Sequence, residues 1–153
     1  MITIHTKAGF PAKLLERAAK AALEHQSAPP ASHLTIVLTD DKRIQELNRD
    51  YLGIDAPTDV LSFPAAETDA SEIDPETGSP YLGDILISLP YAAKSAAQAG
   101  HSLEAEVQLL VVHGVLHLLG HDHAKAREKA RMWKAQTEIL QALGLGSIPI
   151  REE

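Results

Sequence analysis

Four of the eight histidines in this 153-residue chain lie within eleven residues, from His113 to His123. The stretch reads His-Gly-Val-Leu-His-Leu-Leu-Gly-His-Asp-His and follows an apolar segment with helical spacing. His113 and His117 are four residues apart, so on a helix both imidazole rings project from one face and can bind the same ion. The spacing therefore predicts a metal site whose first two ligands are His113 and His117.

The third ligand must come from beyond this helix. In an unbroken helix, His121 would lie about 12 Å from His113 along the axis, too far for both to bind one ion. Gly120 changes this geometry, because glycine adopts the left-handed conformation that ends helices and lets the chain fold back. His121 and His123 are both candidates after such a turn. We predict that His123 is the ligand, because it lies farther beyond the turn, and that His121 lies on the flank.

The chemistry of the ligands favours zinc. Two imidazoles in a helix rich in leucine and valine would cost desolvation energy unless something such as a metal compensates. The chain has no cysteine, so neither a thiolate site nor a disulfide is possible. Three neutral imidazoles with an open fourth position predict one catalytic Zn²⁺ per chain, although nickel, cobalt and iron accept the same ligands. For the remaining histidines we expect ordinary core or surface roles: His5, His25, His33 and His101.

Positions 113, 117, 120 and 123 also reproduce the H-x3-H-x2-G-x2-H spacing of metzincin metalloproteases. Those proteases carry a glutamate next to the first histidine as general base, whereas this chain has Gly114, which cannot transfer a proton. A metallopeptidase-like hydrolase is therefore an alternative that the spacing favours and Gly114 opposes.

Three further segments accompany the histidine stretch: Leu47-Asn-Arg-Asp-Tyr51, Asp55-Ala-Pro-Thr-Asp-Val-Leu-Ser-Phe-Pro64 and Leu82-Gly-Asp-Ile-Leu-Ile-Ser88. Together they resemble the YbeY family of bacterial rRNA-maturation endoribonucleases. The resemblance implies a metal-dependent, single-strand-specific endoribonuclease that acts in 16S rRNA 3′-end maturation and ribosome quality control. It also implies zinc ligands at His113, His117 and His123, with single-stranded RNA, ribosomal subunits or assembly factors as partners.

The chain departs from the family pattern at two positions. The residue before Asp-His is often tyrosine in the family and is His121 here. Many members have arginine directly after the aromatic residue that matches Tyr51, where it is thought to contact substrate or help catalysis, and this chain has Leu52. Arg49 is nearby, but on a helix its side chain would point in a different direction from that of residue 52. Its use as a substitute is therefore a hypothesis. Leu52 thus keeps open a ribosome-associated binding module with weak or no nuclease activity.

For RNA cleavage, a metal can polarise a phosphoryl oxygen or lower the pKa of a bound water towards roughly 7. Phosphodiester cleavage can also use the substrate's 2′-hydroxyl, so the missing glutamate is less damaging than in a protease. We therefore expect a metal-bound water and assign no general base. Asp84 and Ser62 are candidate pocket residues near the ends of their strands, with a turn or cap role as the alternative.

Hydrophobic periodicity predicts the elements that must position this site. Strands are expected over 2–6, 33–39, 59–63 and 83–89, and helices over 11–23, 41–52, 90–99, from Ser102 through the histidines, and 124–143. Ser102 caps the histidine helix, with Glu106 near the position of a capping box. Apolar residues nearly all round that helix predict that it is buried. With the family resemblance, this predicts one α+β domain over residues 1–153. It has a small mixed four-stranded sheet packed with about five helices and a zincin-like metal helix at the centre.

Charge and hydropathy limit the kinds of partner that the chain can have. A formal net charge of −7 counts against a broad nucleic-acid surface. Locally, however, residues 124–134 hold five bases and one acid, and we predict that Lys125 and Arg127, with Arg49, bind substrate. The acidic run from Glu67 to Glu76 predicts an exposed loop, and a solvated face is the alternative for both runs. No apolar run approaches the roughly 20 residues that span a bilayer, and no signal segment opens the chain, so a soluble, cytoplasmic protein is expected.

Overall fold

The fold is described by a computed structural model that covers residues 2–6, 9–29, 31–65, 80–121 and 125–148. Every predicted strand and helix is present, and the α+β class with four strands and five helices is confirmed. The predicted acidic loop and His123 lie outside the described residues. The elements are β1 (Ile2–His5), α1 (Ala12–His25), β2 (His33–Thr39), α2 (Asp41–Leu52), β3 (Val60–Pro64), β4 (Tyr81–Ser88), α3 (Leu89–Ala99), α4 (Leu103–Leu118) and α5 (Ala126–Ala142).

The four strands form one mixed sheet in the order β1-β2-β4-β3. The β1–β2 and β2–β4 pairs are parallel, and β3 runs antiparallel to β4 at the edge. Successive side chains of β4 enter different cores, as expected for a strand covered on both faces. Ile85 and Ile87 belong to the large core that contains α4, whereas Leu86 packs on a small cluster under α2. Thus α2 covers one face of the sheet and α4 the other.

Helix α4 is the central element of the fold. It packs against α1, α3 and α5 as well as β3 and β4. Twelve of its sixteen residues are buried, among them Val107, Val111 and Val115, so the predicted buried helix is confirmed. Its role as a zincin-like metal helix stays a prediction.

The start of α4 has the serine cap that the sequence predicts. The Ser102 side chain accepts a hydrogen bond from the Ala105 backbone N–H at 3.1 Å, which confirms the cap. The Glu106 carboxylate is fully buried and bonds His101 Nε2 at 2.6 Å. A carboxylate without contact to water is stabilised by this partner, which only the packing of the α3–α4 connection supplies. The capping box itself stays a prediction.

Within the described parts of the chain, none of the helices combines the length and the apolar character needed to cross a bilayer.

Candidate metal centre

His113 and His117 lie on one face of α4, and both are half-buried. Their Nε2 atoms are 3.1 Å apart, and their ring centroids are separated by 4.7 Å at an interplanar angle of 71°. Two nitrogen ligands of a tetrahedral zinc ion, each at its usual bond length, lie about 3.3 Å apart. The pair therefore presents two nitrogens at a spacing that fits one ion.

A glutamine on α5 orients the first histidine. His113 Nδ1 lies 3.1 Å from Gln136 Oε1, and Gln136 is only 3% exposed. An amide oxygen can only accept, so the Nδ1–H of His113 donates and its Nε2 keeps a lone pair for a metal. This is the arrangement of metal-binding histidines, whose second ring nitrogen usually donates to an acceptor in the protein.

Sequence reasoning missed Gln136, although a signal was available. Gln136 shares a helical face with Met132 and Ile139, which are buried core residues of α5. A glutamine within such an apolar stripe needs a hydrogen-bond partner. Trp133, from the same helix, was also missed, and its ring centroid lies 6.0 Å from that of His113.

The end of α4 has the turn that was predicted from Gly120. Gly120 has a φ of +95°, in the region that favours glycine. Its N–H donates to the His117 carbonyl at 3.0 Å, and the N–H of His121 donates to the Leu116 carbonyl at 2.9 Å. These two bonds make a Schellman motif, which ends the helix and changes the direction of the chain.

His121 has a side-chain partner on α1. Its Nε2 lies 2.6 Å from Gln26 Oε1. Burial lowers the pKa of His121, and the nearby Arg131 and His25 lower it further, because all three disfavour a charged ring. Whether His123 and not His121 is the third ligand stays a prediction, since residue 123 lies outside the described range. Among the residues that are described, no group of three or more His, Asp or Glu could hold a metal.

Gly114 lies where α4 packs closely on β4. A Cβ atom added there would stand 2.9 Å from Ile85 Cγ2 and 3.0 Å from Ile85 Cδ1. The Gly114 carbonyl also accepts a bond from Ser62 Oγ at 3.4 Å. Hence a larger residue at this position would require the Ile85 side chain to shift, which disfavours a glutamate here.

The two candidate pocket residues on the strands are separated by the sheet. Ser62 faces α4, as its bond to Gly114 shows. Asp84 pairs across the sheet with Phe63, which packs on the α2 side, so Asp84 shares that opposite face. There it accepts a hydrogen bond from the Tyr81 hydroxyl, which also contacts Thr35 Oγ1 at 2.9 Å. Asp84 thus has a structural role within the sheet and does not lie beside the histidines.

Burial raises the pKa of the Tyr81 hydroxyl, and its hydrogen bond to Asp84 raises it further. The phenol therefore stays protonated and continues to donate to Asp84 over the physiological pH range.

The predicted substrate-binding cations lie on opposite sides of the sheet. Arg49 is exposed on α2, where it bonds Asp50 at 3.1 Å, and this contact raises its pKa. Lys125 and Arg127 are exposed at the start of α5, which packs on α4 and α1. Because α2 and α4 cover opposite faces of the sheet, the structure does not bring Arg49 together with the other two.

The basic residues of α5 form a continuous exposed face. Arg127, Arg131 and Lys134 are spaced i, i+4 and i+7, and all are exposed. Arg131 also lines a cleft of about 340 Å³ with Leu119, Gly120, His121 and Glu128. We call Lys125, Arg127, Arg131 and Lys134 the basic face, and it reaches the turn that follows α4.

Leu52 is part of a small exposed apolar group. It is 57% exposed, beside Tyr51 at 70% and Ile54 at 53%. The Tyr51 ring packs edge-on against Phe63, with 5.6 Å between centroids. Position 52, where the family resemblance implies arginine, is thus open to solvent and uncharged.

Comparison with known proteins adds a family to this geometry. A family model described as Endoribonuclease YbeY matches residues 3–144. A protein named Endoribonuclease YbeY from Roseiflexus sp. (strain RS-1) is 45% identical over 133 residues, 86% of this chain and 83% of its own. One of the same name from Shouchella clausii is 48% identical over 130 residues, 82% and 81% of the two chains. Among solved structures, the solution structure of TM1509 from Thermotoga maritima has a TM-score of 0.59 at 25% identity and covers 99% of this chain and 97% of its own.

Proposed function

The chain belongs to the Endoribonuclease YbeY family and is an endoribonuclease, and on that premise we propose that it depends on zinc and cuts single-stranded RNA. We propose its cellular role to be maturation of the 16S rRNA 3′ end and ribosome quality control, with ribosomal subunits or assembly factors as partners. Because that RNA is a cytoplasmic substrate, the cytoplasm is its proposed place of action. The observation that supports a metal most directly is the 3.1 Å approach of the His113 and His117 Nε2 atoms.

We assign one Zn²⁺ to His113, His117 and His123. When bound, zinc would supply Lewis-acid stabilisation of a phosphoryl oxygen and would make water more acidic. The residues of the chain hold and orient this chemistry. Gln136 keeps the proton of His113 on Nδ1, and the Trp133 ring lies beside the same imidazole. No side chain is assigned as general base.

The basic face is the proposed path of the RNA backbone towards the site. Lys125 and Arg127 are its first members, and Arg131 extends it into the cleft beside His121. Exposed cations that each contact one phosphate add affinity without sequence preference. Arg49 lies on the other side of the sheet and would contact a different part of the RNA.

A metallopeptidase is not supported as an alternative. Gly114 stands where metzincins use a glutamate as a base, and its close contact with Ile85 disfavours a larger residue there.

The metal assignment is tested by the variant His117→Ala. The wild-type protein should contain one zinc per chain by elemental analysis, and His117→Ala should contain none. His5→Ala is the matched control, because His5 is exposed on β1, outside the centre. Stoichiometric zinc in His117→Ala would overturn the ligand assignment.

The activity is tested with a single-stranded RNA and with casein, each with and without a chelator. RNA cleavage that the chelator abolishes and zinc restores supports the proposed function. Casein cleavage would favour a metallopeptidase. RNA binding without cleavage would favour a ribosome-associated binding module.

A further inference from the structure

Four side chains from three parts of the fold form one hydrogen-bonded chain next to the metal centre. His121 Nε2 lies 2.6 Å from Gln26 Oε1, and Gln26 Nε2 lies 2.9 Å from His25 Nδ1. His25 Nε2 is in turn 3.3 Å from Glu138 Oε1. We call these four residues the relay. It connects the residue after the α4 turn with the C-terminal end of α1 and with the outer surface of α5.

The relay has one direction of donation that satisfies every member. The amide oxygen of Gln26 can only accept, so His121 Nε2–H donates to it. The amide nitrogen of Gln26 can only donate, so His25 Nδ1 accepts and carries its proton on Nε2. That N–H donates to the Glu138 carboxylate. Both rings are therefore held in one tautomer and one orientation without needing a charge.

His121 is the point where the relay meets the metal helix. Its backbone N–H is already bound to the Leu116 carbonyl in the Schellman motif. Gly120, the residue before it, is exposed, and a Cβ added there would touch nothing within 4 Å. Gly120 therefore gives the chain conformational freedom and no packing contact. The side-chain bond from His121 to Gln26 supplies the contact that Gly120 lacks.

We propose that the relay is a positioning device for the metal centre, which holds the Gly120–His121 turn at the end of α4 in one orientation. The inference rests on the proposed function, because it needs a metal bound by His113, His117 and His123. It assigns His121 a role in orientation, and it makes Gln26, His25 and Glu138 positioning residues although none of them is a ligand. A preorganised ligand loses less conformational entropy on binding, so the relay raises the affinity for the ion.

The experiment measures zinc affinity by competition with a chromophoric chelator, for the wild type and Gln26→Leu. Leucine keeps much of the volume and removes both hydrogen bonds of Gln26. We expect about tenfold weaker zinc binding, at the lower end of the effect of outer-shell substitutions. Gln98→Leu is the matched control, because Gln98 is exposed on α3, and it should bind zinc like the wild type. Zinc affinity of Gln26→Leu within twofold of the wild type would overturn the proposal.

A second pair of variants acts from the far end of the relay and guards against a folding defect. Glu138→Leu removes the acceptor for His25, whereas Glu138→Gln keeps an amide oxygen that can accept. We expect weaker zinc binding in Glu138→Leu and recovery in Glu138→Gln. The absorption spectrum of the Co²⁺-substituted proteins should change in the leucine variants and return in the glutamine variant. Equal spectra in all variants would also contradict the proposal.

Melting of the metal-free proteins separates positioning from general stability. If Gln26→Leu lowers the melting temperature of the metal-free chain but leaves zinc affinity unchanged, the relay is only structural and the proposal fails. If the wild type itself binds no zinc, the proposed function fails, and this result is distinct because it does not depend on any relay variant.

Discussion

At the scale of single residues, the contact between His113 and Gln136 decides which nitrogen of the imidazole is available. Without an acceptor at Nδ1, the ring proton could sit on either nitrogen, and a ring with its proton on Nε2 cannot bind a metal through that atom. Gln136 fixes the proton on Nδ1 by accepting its hydrogen bond. Because Gln136 is buried on α5, its own side chain is held in place.

We therefore predict that Gln136→Leu lowers zinc affinity by about 10–100-fold, because the acceptor for His113 Nδ1 is lost. Gln136→Glu should stay close to the wild type, since a carboxylate oxygen accepts the same bond. Chelator competition measures both variants. Equal affinities in Gln136→Leu and Gln136→Glu would contradict the assigned role of the hydrogen bond.

A second residue-scale prediction concerns Leu52, which is exposed at the position where the family resemblance implies arginine. Leu52→Arg should bind single-stranded RNA more tightly, because it adds one cation that can contact a phosphate. The slope of log affinity against log salt should become steeper by about 0.7. Fluorescence anisotropy of a labelled RNA across a salt series measures both quantities. Leu52→Gln is the polar, uncharged control, and an equal gain in that variant would show that charge is not the cause.

At the scale of elements, the position of α4 depends on its contact with β4. The helix comes close enough to the sheet that Gly114 meets Ile85 without room for a methyl group. The same closeness lets Ser62 of β3 reach the Gly114 carbonyl. Since His113 directly precedes Gly114, any change in the distance between helix and sheet also moves the proposed first metal ligand.

Gly114→Ala should accordingly reduce the free energy of unfolding by about 1–3 kcal/mol through overpacking against Ile85. The double variant Gly114→Ala with Ile85→Ala should be more stable than the sum of the two single changes predicts, because each change compensates the other. Urea denaturation of the four proteins gives this coupling energy. Strict additivity would show that the contact with Ile85 is not the source of the strain.

Elements were predictable from sequence where a local pattern defines them. The periodic apolar residues located all nine elements, and the Ser102 cap and the Gly120 turn followed from residue type alone. Contacts between distant elements were not predictable in this way. Glu106 pairs with His101, because burial of its carboxylate requires a partner. Asp84 faces α2 because of the register between β3 and β4.

The same difference between local patterns and distant contacts applies to the candidate metal centre. The i, i+4 spacing brought His113 and His117 together, as a helix requires. Gln136 and Gln26 lie 23 and 95 residues away from the histidines that they contact, and only the packing of α5 and α1 on α4 brings them there. Residues that share one face of a helix can be predicted from spacing, whereas the residues that orient them depend on the tertiary fold.

At the scale of the whole molecule, charge is unevenly distributed. The chain carries a formal net charge of −7, so its average field repels a polyanion. The basic face of α5 is a local exception that points to solvent, opposite the side on which Met132 and Ile139 enter the core. An RNA backbone would therefore be attracted along one route, and the acidic remainder of the surface would discourage other modes of binding.

Reversal of this local charge is the sharpest test of the route. Lys125→Glu combined with Arg127→Glu should weaken binding to single-stranded RNA. The slope of log affinity against log salt should become shallower by about 1.4, as expected for two lost phosphate contacts. Lys42→Glu combined with Lys94→Glu is the matched control, because these exposed lysines of α2 and α3 give the same change in net charge. If the control weakens binding equally, only the average field matters. If neither double variant weakens binding, the basic face is a solvated helix surface and the RNA reaches the histidines from another side.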